Sequence, residues 1–322
     1  MKNIAIAAGG DSSEYEISIK SATVVAEAIS EKYNCYIIII RGSDWYWEDA
    51  NGMAVAINKN DFSLSISNNK IRFDAVFVAI HGTPGENGLL QGYLDIMSIP
   101  YSSCDAFCSA LTFNKNACKV YLKDQNIPLA PSFIIREKEA IDVRAILKLT
   151  GLPCFVKPNS SGSSFGVNMV RSESKLKNAI SEAFKEDKEV IIESYLNGTE
   201  VACGVLKTSQ KDFILPVTEI VSKNEFFDYE AKYTPGAAEE ITPARVSDQV
   251  YKQIQHLSSD IYDVLGCKGL VRVDFIVVDN QAVFLEINSV PGMSKESIIP
   301  KQVAAFGITP LEFYSAIIED LL

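Results

Sequence analysis

Two apolar stretches near the C-terminus, GLVRVDFIVV from Gly269 and AVFLEIN from Ala282, are separated by Asp279, Asn280 and Gln281. Each alternates apolar and polar side chains, the period of a strand with one buried face, and a short polar turn between them makes a hairpin. A one-residue slip would send every side chain to the opposite face, so the turn length decides the chemistry of both surfaces. A three-residue turn at 279–281 pairs Asp274 with Glu286 and Arg272 with Asn288. It pairs Val273, Phe275 and Val277 with Ile287, Leu285 and Val283 on an apolar face, whereas a two-residue turn would set Asp274 against Leu285. The polar face then carries two carboxylates, an amide oxygen and a guanidinium. Such hard ligands suit Mg²⁺ or Mn²⁺, with phosphates and water completing the octahedron. A solvated strand face with an ordinary Arg–Asp pair fits the same pattern.

The rest of the chain reads as α/β, with α+β character after the opening domain. Apolar runs at 4–8, 36–40 and 75–80 predict buried strands of a parallel sheet with helical segments between them. A helix is predicted over 89–97 and a long one over 106–125, which Pro128 and Pro131 close. A hinge is placed near residue 105, giving lobes at 1–105, 106–193 and 194–322. Strands are expected at 154–157, 166–170, 190–193, 200–206, 213–220, 269–278 and 282–287, and helices at 175–185, 248–265 and 310–321. Residues 226–246 are polar and without period, with Pro235, Gly236 and Pro243. An irregular stretch of about 20 residues inside a compact chain is usually functional or disordered, and its position between strand-rich segments suggests a lid.

At 322 residues the chain is long for one core, and roughly 100 to 200 residues per domain implies a cleft between lobes. A net charge of −11 argues against nucleic acid or an anionic membrane as partner. Seven cysteines without CxxC pairing, mostly within apolar runs, are expected to be reduced thiols of a cytoplasmic protein. No run approaches the roughly 18 apolar residues of a membrane span, and the N-terminal run at 4–8 is too short for a signal peptide.

Three further stretches carry chemistry. FVKPNSSGSSFG from Phe155 sets a lysine before a small-residue loop, whose backbone N–H groups could cradle phosphate oxygens beside Lys157. It is not a Walker A sequence, and a plain hairpin loop also fits. EVIIESYLNGTE from Glu189 is a short connector that could present backbone groups to an adenine and Glu200 to a ribose; an unremarkable turn fits as well. AGGDSSEYEIS from Ala8 sets two glycines after a strand, then a helix capped by Ser12 or Ser13. Glu14 in its first turn could compensate the helix dipole or hold an ammonium at the mouth of a cleft.

Taken in order, GGDSSE, AIHG followed by GENG, KPNSSGSSFG, DYEAKY, GLVRVD and EINSVPGM resemble the D-alanine–D-alanine ligases of the ATP-grasp type, and the likeness runs nearly end to end. The resemblance implies a three-lobed ATP-grasp fold in which ATP lies between two strand-rich lobes and two D-alanines are closed over by the first lobe and a mobile loop. It implies an acyl phosphate formed on the first D-alanine and attacked by the amine of the second. Lys115, Lys157 and Lys232 would bind phosphates, with N–H groups of Gly162, Ser163 and Ser164 over them. Glu193, Tyr195 and Leu196 would hold adenine and Glu200 the ribose, while Asp274, Glu286 and Asn288 would bind two Mg²⁺ or Mn²⁺ ions. Glu14, with His81 nearby, would anchor the ammonium of the first D-alanine. Arg272 and the N–H of Gly292 would stabilise the oxyanion, Ser163, Tyr233 and Glu14 would link lid to floor, and Ser297 and Ile298 would hold the second D-alanine. Tyr233 in the lid goes with D-alanine as acceptor. Ser161 and Glu296 depart from the family's common Glu and His. A homodimer is expected.

Overall fold

Three sheets follow one another along the chain in the computed structural model, which describes residues 1–49, 51–67, 69–162, 166–222 and 238–322. The first lobe holds β1 (Asn3–Gly9), α1 (Tyr15–Ile29), β2 (Asn34–Arg41), β3 (Asp44–Glu48), β4 (Ala54–Asn58), β5 (Ser63–Ile66), β6 (Asn69–Ile71), β7 (Ala75–Val78) and α2 (Leu89–Ile96). Its strand order is β6-β5-β4-β3-β2-β1-β7. The predicted parallel arrangement holds for β2, β1 and β7. Strands β3 to β6 correct the remainder: they add an antiparallel meander beyond β2. The cause is local, because only two residues separate Arg41 from Asp44 and so short a connection can join antiparallel strands alone.

Gly9 and Gly10 make the turn out of β1. Both have positive φ, and a Cβ on Gly10 would lie 2.7 Å from Ile80 Cγ2 and 3.0 Å from Thr83 O, so neither position tolerates a side chain. Helix α1 starts later than predicted. Glu14 occupies its N-cap position without a side-chain cap, and Ser12 Oγ instead accepts from Glu14 N at 3.2 Å while donating to His81 O at 2.8 Å.

The second lobe comprises α3 (Ala106–Phe113), α4 (Lys115–Leu122), β8 (Ser132–Arg136), α5 (Val143–Thr150), β9 (Cys154–Pro158), β10 (Asn168–Val170), α6 (Glu173–Ala183) and β11 (Glu189–Ser194), with antiparallel order β10-β9-β11-β8. The single helix expected over 106–125 is two. Asn114, extended at ψ 101°, ends α3 and caps α4 by accepting from Ala117 N at 2.8 Å. Asn competes with the helical backbone for its own hydrogen bonds, so it favours a cap over a helix interior. Neither β8 nor α5 was foreseen.

The third lobe contains β12 (Thr199–Lys207), β13 (Asp212–Ile214), β14 (Thr218–Ser222), β15 (Ala238–Ile241), α7 (Asp248–Val264), β16 (Leu270–Val278), β17 (Gln281–Asn288), α8 (Ile298–Phe306) and α9 (Pro310–Glu319). Its order is β15-β14-β12-β16-β17, with β13 also on β12. The run at 213–220 is two strands because Pro216 cannot donate to a ladder. Of the predicted lid, residues 226–237 lie outside the described residues. Its last part is not irregular, since β15 pairs with β14 through Glu219↔Ile241 to Ser222↔Ala238.

The C-terminal hairpin needs a further correction. Its turn has two residues, Asp279 and Asn280, both at positive φ, so Val278 faces Gln281 and Phe275 faces Phe284 rather than Leu285. A bulge at Leu285 then adds one residue to β17 and restores Asp274↔Glu286, Val273↔Ile287 and Arg272↔Asn288. The predicted polar pairs are therefore present, by a different route.

Helix α8 was not foreseen either, and it and α9 return to the first sheet. Phe313, Tyr314, Ile317 and Ile318 are buried in the core that also holds Ile4, Ile6, Val25 and Phe77, with the Phe77 and Tyr314 rings 6.0 Å apart. Thr309, Pro310 and Glu312 form a capping box with proline in the first turn of α9. The third lobe is thus packed firmly against the first, leaving the second sheet to form the opposite wall of the cleft.

Candidate active site

A cleft of about 810 Å³ runs between the lobes. Of the predicted residues it is lined by Glu14, His81, Lys115, Lys157, Gly162, Glu193, Tyr195, Leu196, Glu200, Arg272, Glu286, Asn288, Gly292, Ser297 and Ile298. Asp274 lies just beneath, 2% exposed. Ser163, Ser164, Lys232 and Tyr233 lie outside the described residues.

The second lobe supplies the cations. Lys157 on β9 reaches Glu193 on β11, its Nζ 2.7 Å from Oε2, and Lys119 on α4 meets the other carboxylate oxygen. Burial opposes the charge on Glu193, yet the two ammonium groups hold its carboxyl well below the usual range. Burial likewise opposes the Lys157 ammonium, but Glu193 outweighs it and the pKa rises. Both groups are therefore ionised at neutral pH, which fixes a positive charge at the mouth of the small-residue loop. Lys115 donates to Ser161 O at 2.7 Å and lies 3.9 Å from Glu286 Oε2, so it joins the loop of the second lobe to the hairpin of the third. Tyr195 lies at the connector, its N–H bonded to Pro153 O at 3.2 Å and its ring 6.0 Å from Phe155. Beside it are Leu196 and Glu200.

Asp274 receives a fork from Arg272, Nε to Oδ1 and Nη2 to Oδ2, both at 2.7 Å, and Asn288 Nδ2 donates to Oδ2 at 3.0 Å. Burial opposes the Arg272 charge, but Asp274 more than compensates and keeps it protonated. With Glu286 paired across from Asp274 and Asn288 alongside, the donor set is hard oxygen chemistry that fits Mg²⁺ or Mn²⁺.

The first lobe closes the site. A Cβ on Gly162 would lie 3.0 Å from Glu14 Oε2, so the loop of the second lobe passes directly over this carboxylate. His81 borders the cleft beside Glu14 but is only 4% exposed. Its Nδ1 lies 2.8 Å from Val290 O and its Nε2 3.1 Å from Ser21 Oγ, which accepts from Met293 N at 3.1 Å. Burial pushes the imidazole pKa down, so His81 is neutral, with Nδ1–H donating to Val290. It ties the first lobe to the loop that carries Gly292. At Gly292 a Cβ would come 2.8 Å from Ser297 Oγ, which explains the glycine, and Ser297 Oγ lies 2.9 Å from Ser294 Oγ at the start of α8.

Two functional-looking groups escaped the sequence reading. Lys119 stands four residues after Lys115 on one helix, and that spacing was the available signal. Glu86, inside the GENG stretch, accepts from Gly82 N at 2.7 Å and Val290 N at 3.3 Å, bracing the same loop as His81. Burial, then the charge of Glu14, pushes its carboxyl up to about 7.

Known proteins match the chain along nearly its whole length. The family model described as D-ala D-ala ligase N-terminus matches residues 3–104, and that described as D-ala D-ala ligase C-terminus matches residues 121–322. A D-alanine--D-alanine ligase of Flavobacterium johnsoniae is 49% identical, covering 99% of both chains. Among solved structures, the VanG D-Ala:D-Ser ligase from Enterococcus faecalis superposes with a TM-score of 0.86 at 32% identity, covering 100% of this chain and 99% of its own. The D-alanine-D-alanine ligase from Coxiella burnetii does so with a TM-score of 0.88 at 28% identity, covering 99% and 93%. Matched in both halves and close to half identical along its whole length to a curated member, the chain belongs to the D-alanine–D-alanine ligase family.

Proposed function

We propose that the chain joins two D-alanines to D-alanyl-D-alanine at the expense of ATP, releasing ADP and phosphate, for the synthesis of peptidoglycan precursors. The observation that carries this reading is the convergence of Lys115, Lys157, Arg272, Glu286, Asn288 and Glu14, drawn from all three lobes, on one cleft. Phosphoryl transfer asks little covalent chemistry of a protein and much positioning and charge neutralisation, which such a set supplies.

ATP lies between the second and third sheets. Tyr195 and Leu196 border the adenine, and Glu200 the ribose. Glu193 serves this site chiefly by fixing Lys157, because its carboxylate is already taken by two lysines. Lys115, Lys157 and Lys232 meet the phosphates, with N–H groups of Gly162, Ser163 and Ser164 above them. Asp274, Glu286 and Asn288 hold two Mg²⁺ or Mn²⁺ ions, which neutralise phosphate charge when bound.

Glu14 receives the ammonium of the first D-alanine and turns its carboxylate toward the γ-phosphoryl group. The acyl phosphate so formed is attacked by the amine of the second D-alanine, held at Ser297 and Ile298. Arg272 and the N–H of Gly292 face the oxyanion of the tetrahedral intermediate, which then expels phosphate. One such donor is typically worth about 2.7 to 4 kcal/mol. Ser163 and Tyr233 complete the closure with Glu14, and residues 226–246 act as the lid. Lobes bounded near 105 and 193 move relative to one another on closure. The protein works in the cytoplasm as a homodimer; no helix among the described residues is long and apolar enough to cross a membrane.

The test is phosphate release from ATP and Mg²⁺ with D-alanine alone or paired with D-serine, D-lactate or L-alanine, each product identified by mass. Release requiring D-alanine and yielding the D-alanyl dipeptide supports the reading. Preferential D-alanyl-D-serine, the product class named for the E. faecalis neighbour, would move the acceptor assignment and leave the nucleotide site intact.

A further inference from the structure

Away from the cleft, three of the seven cysteines meet where the start of α3 packs against the third lobe. Cys104 precedes α3, Cys108 lies in its first turn, and Cys267 lies in the turn between α7 and β16. All three are buried, and their sulfurs lie within 4.8 Å of one another, with Cys108 Sγ 3.8 Å from Cys267 Sγ. A tetrahedral ion with metal–sulfur bonds of about 2.3 Å places neighbouring sulfurs about 3.8 Å apart. A disulfide needs about 2.05 Å, so the sulfurs are too far apart to be bonded; without an ion Cys108 donates a thiol hydrogen bond to Cys267 Sγ and Cys104 one to Lys268 O at 3.5 Å, and the trio is close enough for one ion to replace those protons. The C-x₃-C separation of Cys104 and Cys108 also falls in the range of thiolate metal sites.

The surroundings hold this geometry. Asp105 Oδ1 accepts from Cys108 N at 3.0 Å and so fixes the first turn of α3. Gly269, at φ +63°, lets the backbone pass so close that a Cβ there would lie 1.8 Å from Ser102 O, which presses the Cys267 turn onto the start of α3. A second cleft, of about 440 Å³, is bordered by Cys267, Tyr262, Lys268 and Tyr101, so of the three cysteines Cys267 stands nearest to solvent. The two lysines bordering this cleft are directed to carboxylates, Lys268 Nζ 3.4 Å from Asp105 Oδ2 and Lys207 Nζ 2.7 Å from Asp263 Oδ2, so charge on three thiolates would have to be met by the ion itself.

We propose that Cys104, Cys108 and Cys267 form a site for one thiophilic divalent cation of the Zn²⁺ class, a structural clip that joins the start of α3 to a turn 159 residues later in the chain. Binding exchanges the thiol protons for metal–sulfur bonds and changes no oxidation state. The site lies outside the catalytic cleft and requires nothing of the reaction.

The experiment is a titration of the reduced, metal-free full-length protein with Co²⁺, followed by Zn²⁺. Expected is a sulfur-to-cobalt charge-transfer band that saturates at one equivalent and is abolished by Zn²⁺. The oxygen-only set of Asp274, Glu286 and Asn288 cannot produce this band, so occupancy of the catalytic site does not mimic it. Cys267→Ser and Cys108→Ala should lose the band, while Cys35→Ser, on β2, should keep it. Absence of the band from the wild-type chain overturns the proposal even if a variant fails to fold, and so does a band that survives Cys267→Ser undiminished.

Discussion

Glu86 shows how a single side chain can be essential to a site without being evident as chemistry in the sequence. Its carboxyl accepts from Gly82 N and Val290 N and thereby holds the loop of the third lobe to the first, but burial and the neighbouring Glu14 raise its pKa from 4.5 to about 7. Between these values the folded chain keeps a proton on Glu86 that the unfolded chain has lost. Its contribution to stability is thus fully present below about 4.5 and is lost as pH rises through about 7. In the protein without nucleotide or divalent metal, Glu86→Gln should flatten the decline of Tm across that window relative to wild type. Parallel Tm curves for the two proteins would show that the titrating group lies elsewhere. The buried Lys157–Glu193–Lys119 cluster works in the opposite sense, because its carboxylate is held ionised by two cations. Lys157 was legible as a candidate phosphate ligand from the glycine- and serine-rich loop after it, whereas Lys119 offered only its four-residue spacing from Lys115, which does not by itself show that a lysine points inward.

At the scale of elements, the interruption of the predicted long helix at Asn114 places Lys115 at the first position of a new helix, beside the loop of the second lobe. Asn114 Oδ1 accepts from both Ala117 N and Asn159 Nδ2, at 2.8 and 2.9 Å. Losing such a cap typically costs about 1 kcal/mol, and up to about 2. Asn114→Ala is therefore expected to lower the unfolding free energy by that amount, read as a lower urea midpoint with an unchanged m-value, and to raise KM for ATP, as Lys115 loses its anchor. An unaltered midpoint would mean that the helix break is imposed from elsewhere in the fold. The hairpin teaches a related lesson. Alternation alone identified which side chains share the polar face, but the register came from a two-residue turn plus a bulge, and a bulge leaves almost no trace in a sequence of apolar residues.

At the scale of the whole molecule, shared cores join the lobes. The third lobe shares its core with the first through α8 and α9 and is braced by His81, Ser21 and Glu86. It also shares a core with α3 and α4, where Cys108, Cys118 and Leu122 are buried with Val273, Phe275 and Phe284, and Lys115 meets Glu286 across the cleft. Nucleotide bound between the second and third sheets should tie the lobes together, so Mg-ATP is expected to raise Tm. At a hundredfold excess over Kd the gain is about 2.7 kcal/mol. Lys157→Met should remove most of this shift in differential scanning calorimetry, measured against the variant's own ligand-free Tm, which falls as well because Glu193 loses one of its two buried cations. A full shift retained in the variant would place the phosphates away from Lys157.

The polar face of the C-terminal hairpin, Lys157 before its small-residue loop and the strand pattern that groups them were legible from local rules: periodicity, loop composition and the ligand preferences of hard ions. The other candidate site residues, Lys115 and Ser297 among them, were reached through the likeness of the motifs. Tertiary structure alone decided what depends on contacts between distant segments. It buried His81 and left it neutral as a brace, it turned Glu193 toward two lysines, and it brought α9 back under the first sheet. It also assembled Cys104, Cys108 and Cys267 from segments whose spacing carries no joint signal. Local patterns report which face of an element is apolar; which partner that face meets is settled only when the whole chain competes to bury it.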